Sequence, residues 1–424
     1  MESYSLVALI LVVTAGAALI NRRLLRLPES VGLMATALIV SLAFLVGGLF
    51  LPGIVQPVCE RVEAVDFSFV VLDLLLGFLI FAGAFSADAA AMSRERWPIL
   101  VFATVGILIS TAVVGLAMWV LLEALGMGIP LLHCLLFGAL ISPTDPIAVL
   151  AILKTTGVPR ALQADIAGES LLNDGVAVVV FLTLFQLAGG ASAGGHGSMQ
   201  AGIGVFEIMT LFGREVAGGV VLGAAGGFLA SRALRVARIE TVDILITVAT
   251  VMGVYAVAWR LHVSGPLAIV VVGIMLGQAI RSQVTTVAER EHVSVFWDAM
   301  DHLLNAVLFT MMGFVLLGLV GDYQPLHLVA GLFAIPMVLA ARLLSLSATV
   351  PLTKLRCGNV KSTLSLLTWG GLRGGISIAL ALSLQPEMSR ELIVFVTYIV
   401  VVFSILAQGL SIGALVRKLG VAGS

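Results

Sequence analysis

The chain is 424 residues long with a formal net charge of −1; 60% of it is hydrophobic and only 11% is charged, for a mean hydropathy of +1.14. Soluble domains carry about a quarter charged residues, so a water-facing fold of this length could not hide so much apolar surface, and lipid must be the solvent. The balanced charge offers no field to attract nucleic acid. The three cysteines, Cys59, Cys134 and Cys357, stand too far apart for a CxxC pair or a zinc spacing, so neither a disulfide framework nor a resident metal or cofactor is expected.

A membrane span needs about 20 mostly apolar residues. In chain order, thirteen segments qualify: 4–20, 30–50, 68–85, 98–122, 131–153, 162–188, 206–233, 240–259, 263–280, 296–320, 326–350, 361–383 and 391–415. The first has no basic residue before it, and Arg22, Arg23 and Arg26 follow it, the reverse of a signal peptide. It reads as a helix that stays. The connections are short, and the longest, Gly189 to Gly204, is Gly-rich. The expected fold is therefore an all-α polytopic membrane domain over residues 1–424.

Basic residues test the count. Alternate connections hold Arg22, Arg23, Arg26, Arg94, Arg96, Lys154, Arg160, Arg232, Arg235, Arg238, Arg281, Arg290, Lys354, Arg356 and Lys361, and the C-terminal tail adds Arg417 and Lys418. The opposite side holds only Arg61, Arg260 and Arg390. The positive-inside rule then places the C-terminus in the cytoplasm of a cytoplasmic-membrane protein and the N-terminus outside. Thirteen spans also allow helices 1–6 to repeat as 8–13, inverted. The fifth and twelfth helices then correspond, and both are interrupted, at Ser142-Pro143-Thr144-Asp145-Pro146 and at Gly370-Gly371-Leu372-Arg373-Gly374-Gly375. Interrupted helices at matching places in two halves point to a transporter's midplane site.

Charges inside spans are costly and mark function by default. Pro143 and Pro146 bracket Thr144 and Asp145, and each proline removes a backbone donor, so the helix should open and free carbonyl oxygens beside a carboxylate. Hard cations want such oxygens. In the next helix, Gly168-Glu169-Ser170-Leu171-Leu172-Asn173-Asp174-Gly175 sets Ser170 and Asp174 on one face, with Glu169 and Asn173 beside it. Two carboxylates at one dehydrated site suit either a cation or a proton, each excluding the other; that is the minimal mechanism of an antiporter. The bland alternatives are a proline kink with a stray acid and a structural polar network. Glu169 needs a buried base, with Arg342 preferred over Arg373. Arg373 is better placed to offset helix ends where the two broken helices cross.

The runs SPTDPIAV, GESLLNDGVAVVVF and WGGLRGGISIAL resemble the sodium/proton exchanger branch of the cation:proton antiporter superfamily, the NhaP-like proteins, and LLLGFLIFAGAFSAD and RERWPILVFATVGILIS extend the likeness over nearly the whole chain. The resemblance implies a Na⁺/H⁺ antiporter, not an enzyme, that works as a homodimer. Asp174 then matches the essential cation- and proton-binding aspartate; Asp145, Thr144 and Ser170 match Na⁺ ligands; Glu169, Asn173 and Arg342 brace the crossing. It also implies electroneutral one-for-one exchange, as associated with the Asn-Asp form. Core helices roughly at 98–188 and 326–415 would move beside dimerisation and gating helices. The chain ends soon after its last span, where some relatives carry a long regulatory tail.

Other expectations are weaker. Asp73, the Arg214-Glu215 pair, and Asp298 with Asp301 are embedded or near a membrane edge, and the last two could line an entrance funnel. Gly219, Gly223 and Gly227 read as a close helix–helix contact, and His292 or His302 could sense pH. Competing functions are a K⁺-selective or other proton-coupled exchanger, a passive cation channel and an intramembrane aspartyl protease. The protease is disfavoured because Thr-Asp-Pro and Asn-Asp-Gly are the wrong contexts for its two acids. The channel is disfavoured because the chain carries one internal pseudo-symmetric site rather than a ring.

Overall fold

The computed structural model describes residues 2–50, 67–146, 149–150, 153, 160–189, 205–237, 239–283, 287–319, 324–353 and 360–419. Cys59, Cys357, Arg61, Lys154, Arg238, Lys354, Arg356, most of the Gly-rich connection and the side chains of Asp73, Arg160 and Arg290 lie outside them. Among the described residues all regular structure is helical. In order the helices are α1 (Glu2–Ile20), α2 (Glu29–Phe50), α3 (Phe69–Ser86), α4 (Ala89–Arg94), α5 (Arg96–Ala124), α6 (Leu131–Ile141), α7 (Arg160–Leu187), α8 (Val205–Ala237) and α9 (Glu240–Leu261). There follow α10 (Gly265–Gln283), α11 (Val287–Leu319), α12 (Pro325–Thr349), α13 (Val360–Trp369), α14 (Gly375–Leu382) and α15 (Arg390–Leu419).

Ten of these are long and apolar enough to cross a membrane among the described residues, and α6 and α10 are shorter apolar helices. The segment expected at 131–153 stops at Ile141 because the prolines end α6, and that at 361–383 is the broken pair α13 and α14. Several helices outrun their expected bounds. α8 runs on to Ala237 through Arg232 and Arg235, and α11 starts at Val287, well before residue 296. Basic and polar residues at a span's end continue a helix without cost once they reach the headgroups. Arg281, counted as a loop residue, is in the last turn of α10, where its guanidinium donates to Phe85 O and Ala87 O at the end of α3 (2.9 and 2.6 Å).

Two buried clusters are the largest among the described residues. α5, α6, α7, α12, α14 and α15 surround a core that includes Phe137, Phe181, Val338 and Val401, with Phe309 of α11 joining it. α3, α9, α10 and α11 share another, centred on Trp297. Its ring lies 4.4 Å from Phe81 and its indole N–H donates to Thr247 Oγ1 (3.0 Å). The glycine ladder of α8 meets α10 as expected. A Cβ on Gly219 would meet Ser264 O, one on Gly223 the backbone of Ala268, and one on Gly227 the side chain of Met275.

Candidate functional site

The two interruptions meet. The backbone N–H of Asp145, in the non-helical stretch after α6, donates to Leu372 O in the stretch between α13 and α14 (2.8 Å). Non-helical backbone inside a membrane protein persists only where its polar groups find partners in protein or in a cavity, and this one finds them around the crossing. The Arg373 guanidinium donates to Ser142 O and Pro143 O, the carbonyls that α6 leaves open at its C-terminal end, while the Arg373 N–H donates to Ser404 Oγ (2.9 Å). A cation at a helix C-terminus is also favoured by the peptide dipoles. Gln408 Nε2 donates to Trp369 O (2.9 Å) and Trp369 Nε1 to Ser411 Oγ (2.8 Å). Ser404 and Gln408 bound a π-helical turn in α15, Ser404–Gln408, whose extra residue turns both side chains to the break.

Asp145 stands at the other end of the electrostatics. Gly374 caps the start of α14, and a Cβ built on it would lie 2.8 Å from both Cβ and Oδ2 of Asp145. The carboxylate therefore rests on the N-terminal end of α14, where unpaired N–H groups favour negative charge. Gly374 has φ −118°, which any residue adopts, so its lack of a side chain is required by the close approach and not by the backbone. Gly371 is similarly tight: its Cβ would fall 3.1 Å from Arg342 Nε and 3.3 Å from Thr144 Cγ2.

α7 supplies the facing wall. Ser170 Oγ is 3.0 Å from Thr144 Oγ1, and Asn173 Nδ2 donates weakly to Thr144 Oγ1 (3.4 Å) and to Glu169 Oε1 (3.3 Å). Glu169 is paired with Arg342 of α12 at 2.6 Å, with side-chain exposures of 3% and 7%. A pair this buried holds geometry: breaking it by removing one partner costs about 3–5 kcal/mol, although the intact pair adds little net stability. Asn173 is fully buried and its Oδ1 has no protein partner. Asp174, one residue on, is near enough to Asp145 for the two carboxylates to repel. All eight sequence-derived residues thus gather at one crossing: Thr144 and Asp145 in the break after α6, Glu169, Ser170, Asn173 and Asp174 on α7, Arg342 on α12 and Arg373 in the second break.

Sequence reasoning missed Ser142, Ser404, Gln408 and Gly374. Ser142 carries the helix-ending signal of a serine before proline, and its hydroxyl donates to Gly138 O (2.6 Å) and lies 2.9 Å from Ser110 Oγ. Nothing in the apolar run of α15 announces the π turn. Of the weaker candidates, Asp298 is exposed and accepts from Ser86 Oγ (3.1 Å), while Asp301 accepts from Asn305 Nδ2 (2.9 Å). Arg214 is exposed and Glu215 half-buried. His292 and His302 are exposed against Glu240 (3.0 Å) and Glu29 (3.5 Å).

The model of the transmembrane sodium/hydrogen exchanger family matches residues 8–418. The chain belongs to that family. Its members are transporters and not enzymes. Among curated relatives, this exchanger is 42% identical to the Na(+)/H(+) antiporter NhaP of Pseudomonas aeruginosa over 98% of the chain and 96% of that protein. It is 30% identical to the Na(+)/H(+) antiporter NhaH of Halobacillus aidingensis over 94% of each. Its fold matches the sodium proton antiporter MjNhaP1 of Methanocaldococcus jannaschii with a TM-score of 0.75, covering 99% of both chains at 19% identity.

Proposed function

We propose that this exchanger moves Na⁺ against H⁺ across the cytoplasmic membrane, with both ions competing for Asp174 and Asp145. The observation that carries the reading is the meeting of the two helix breaks at Asp145 and Leu372, with Thr144 beside Asp145 set against Ser170, one turn from Asp174 on α7. Thr144 Oγ1 and Ser170 Oγ lie between the walls and supply neutral oxygens for a partly dehydrated Na⁺. Charge supports a one-for-one exchange. Asp145, Asp174 and Glu169 bring three negative charges to the crossing and Arg342 and Arg373 bring two positive ones. One Na⁺ or one proton cancels the remainder, and binding both would overfill it. A dry site favours whichever state is neutral.

The relatives called Na(+)/H(+) antiporters favour sodium, although the oxygen set alone would also serve K⁺ or Li⁺. The exchanger works as a homodimer embedded in lipid, with its N-terminus outside and its C-terminus in the cytoplasm. The distribution of Lys and Arg supports that orientation. The Trp297-centred cluster shared by α3, α9, α10 and α11 supports a scaffold, in contact through α10 with α7, beside a mobile core of roughly 98–188 and 326–415. The test is a pH-dye recording on everted vesicles or proteoliposomes given Na⁺, Li⁺ and K⁺ in turn. Na⁺ should collapse the proton gradient, and Asp174→Ala and Asp145→Ala should abolish the response while the protein still inserts. Full exchange in Asp174→Ala sinks the site. A response to K⁺ alone replaces sodium with potassium.

A further inference from the structure

Behind the ion pair lies a small cavity between α12, the second break and α15, bordered by Arg342, Thr368, Gly371, Arg373 and Gln408 with apolar side chains around them. Its free volume of about 10 Å³ matches the lower limit for holding one water. Two of its bordering groups are buried and lack a protein partner: the Nε–H of Arg342 and the hydroxyl of Thr368. Arg342 is 6% exposed, and its Nε faces Gly371, where a side chain would close the cavity. Leaving such donors unmet costs about 1–3 kcal/mol each.

We propose that this cavity is a binding site for one resident water, which accepts from Arg342 Nε–H and is held by the Thr368 hydroxyl. The chemistry favours water over an anion. Glu169 already answers the Arg342 charge and two carbonyls answer Arg373, and the space excludes any polyatomic anion. The water fixes the guanidinium plane, so that Arg342 Nη2 stays on Glu169 Oε1. From there the contacts run without a gap: Glu169 Oε1 accepts from Asn173 Nδ2, Asn173 Nδ2 also reaches Thr144 Oγ1, and Thr144 Oγ1 meets Ser170 Oγ. Thr368 is thereby a positioning residue for the cation site on the far side of Gly371, an inference that rests on the antiport reading above.

The test has two parts. A map of the wild-type exchanger at a resolution that shows ordered solvent should contain one water-strength peak within hydrogen-bond distance of Arg342 Nε and Thr368 Oγ1; an empty cavity overturns the proposal. A peak stronger than water, with exchange that falls when chloride is replaced by gluconate, overturns it in favour of an anion. In proteoliposomes, Thr368→Val keeps the shape but removes the hydroxyl, and should raise the half-saturating Na⁺ about 3- to 10-fold, as loss of one hydrogen bond implies. Thr368→Ser should restore it. Unchanged half-saturation in Thr368→Val, or no rescue by Thr368→Ser, counts against the proposal. Wild-type exchange that Asp174→Ala abolishes upholds the antiport reading whatever the Thr368 variants do.

Discussion

Gly374→Ala perturbs the site by a known distance. The new methyl would stand 2.8 Å from Asp145 Cβ and Oδ2, whereas ordinary contact begins at 3.4 Å, so one of them must give by at least about 0.6 Å. Asp145 cannot retreat as a unit without stretching its 2.8 Å hydrogen bond to Leu372 O. The alanine cannot swing away either, because Gly375 behind it is pressed by the side chain of Leu308 on α11. The carboxylate is the part with room to turn, which moves it off the N-terminal end of α14. A misplacement of 1 Å in a reacting or binding group can cost about a hundredfold. A shift of this size should therefore raise the half-saturating Na⁺ in proteoliposomes roughly tenfold, with a changed Na⁺ to Li⁺ preference and an ordinary yield of inserted protein. Unaltered half-saturation and preference would mean that Asp145 does not hold the cation.

Three further outcomes follow from the same geometry. Glu169→Gln and Arg342→Gln should each lower stability in detergent by about 3–5 kcal/mol, and the double variant by less than their sum, because each single change strands a buried charge; thermal unfolding of the four proteins reads this out. Arg373→Ala uncovers the Ser142 and Pro143 carbonyls and should cost about 1.5–3 kcal/mol along with exchange, with Arg373→Lys recovering part because a point charge reaches fewer acceptors. Gly223→Val should wedge α8 from the Ala268 backbone and lower thermal stability by about 1–3 kcal/mol. It should leave the ion preference unchanged, since Gly223 itself touches α10 and none of the site residues.

Much of this arrangement is written locally. Apolar runs of span length fix the long helices, prolines 143 and 146 fix the end of α6, and the fourfold spacing of Ser170 and Asp174 fixes their shared face. Charge balance asked only for a buried base beside Glu169; the preference for Arg342 left Arg373 for the helix ends, and the 2.6 Å pair is Arg342 with Glu169. What local patterns do not carry is close approach between distant segments. Gly374 is one glycine among four in its break until Asp145 is seen lying on it. Ser404 and Gln408 look like ordinary polar residues in an apolar helix until a π turn aims them at Arg373 and Trp369. Arg281 reads as a loop cation because nothing nearby in sequence predicts the carbonyls of Phe85 and Ala87. Spans ending in charged residues were cut short for a related reason, since apolarity marks where a helix meets lipid and not where its hydrogen bonds stop.

The central claim is that one proton and one cation compete for the same pair of carboxylates. Its most direct test is the half-saturating Na⁺ concentration of the wild-type exchanger in proteoliposomes, measured across a series of pH values. One-for-one competition requires that concentration to rise about tenfold for each unit of pH lowered on the acidic side, with the same maximal rate once Na⁺ is saturating. A half-saturation that stays constant while the maximal rate falls would place the proton at a different site and contradict the account.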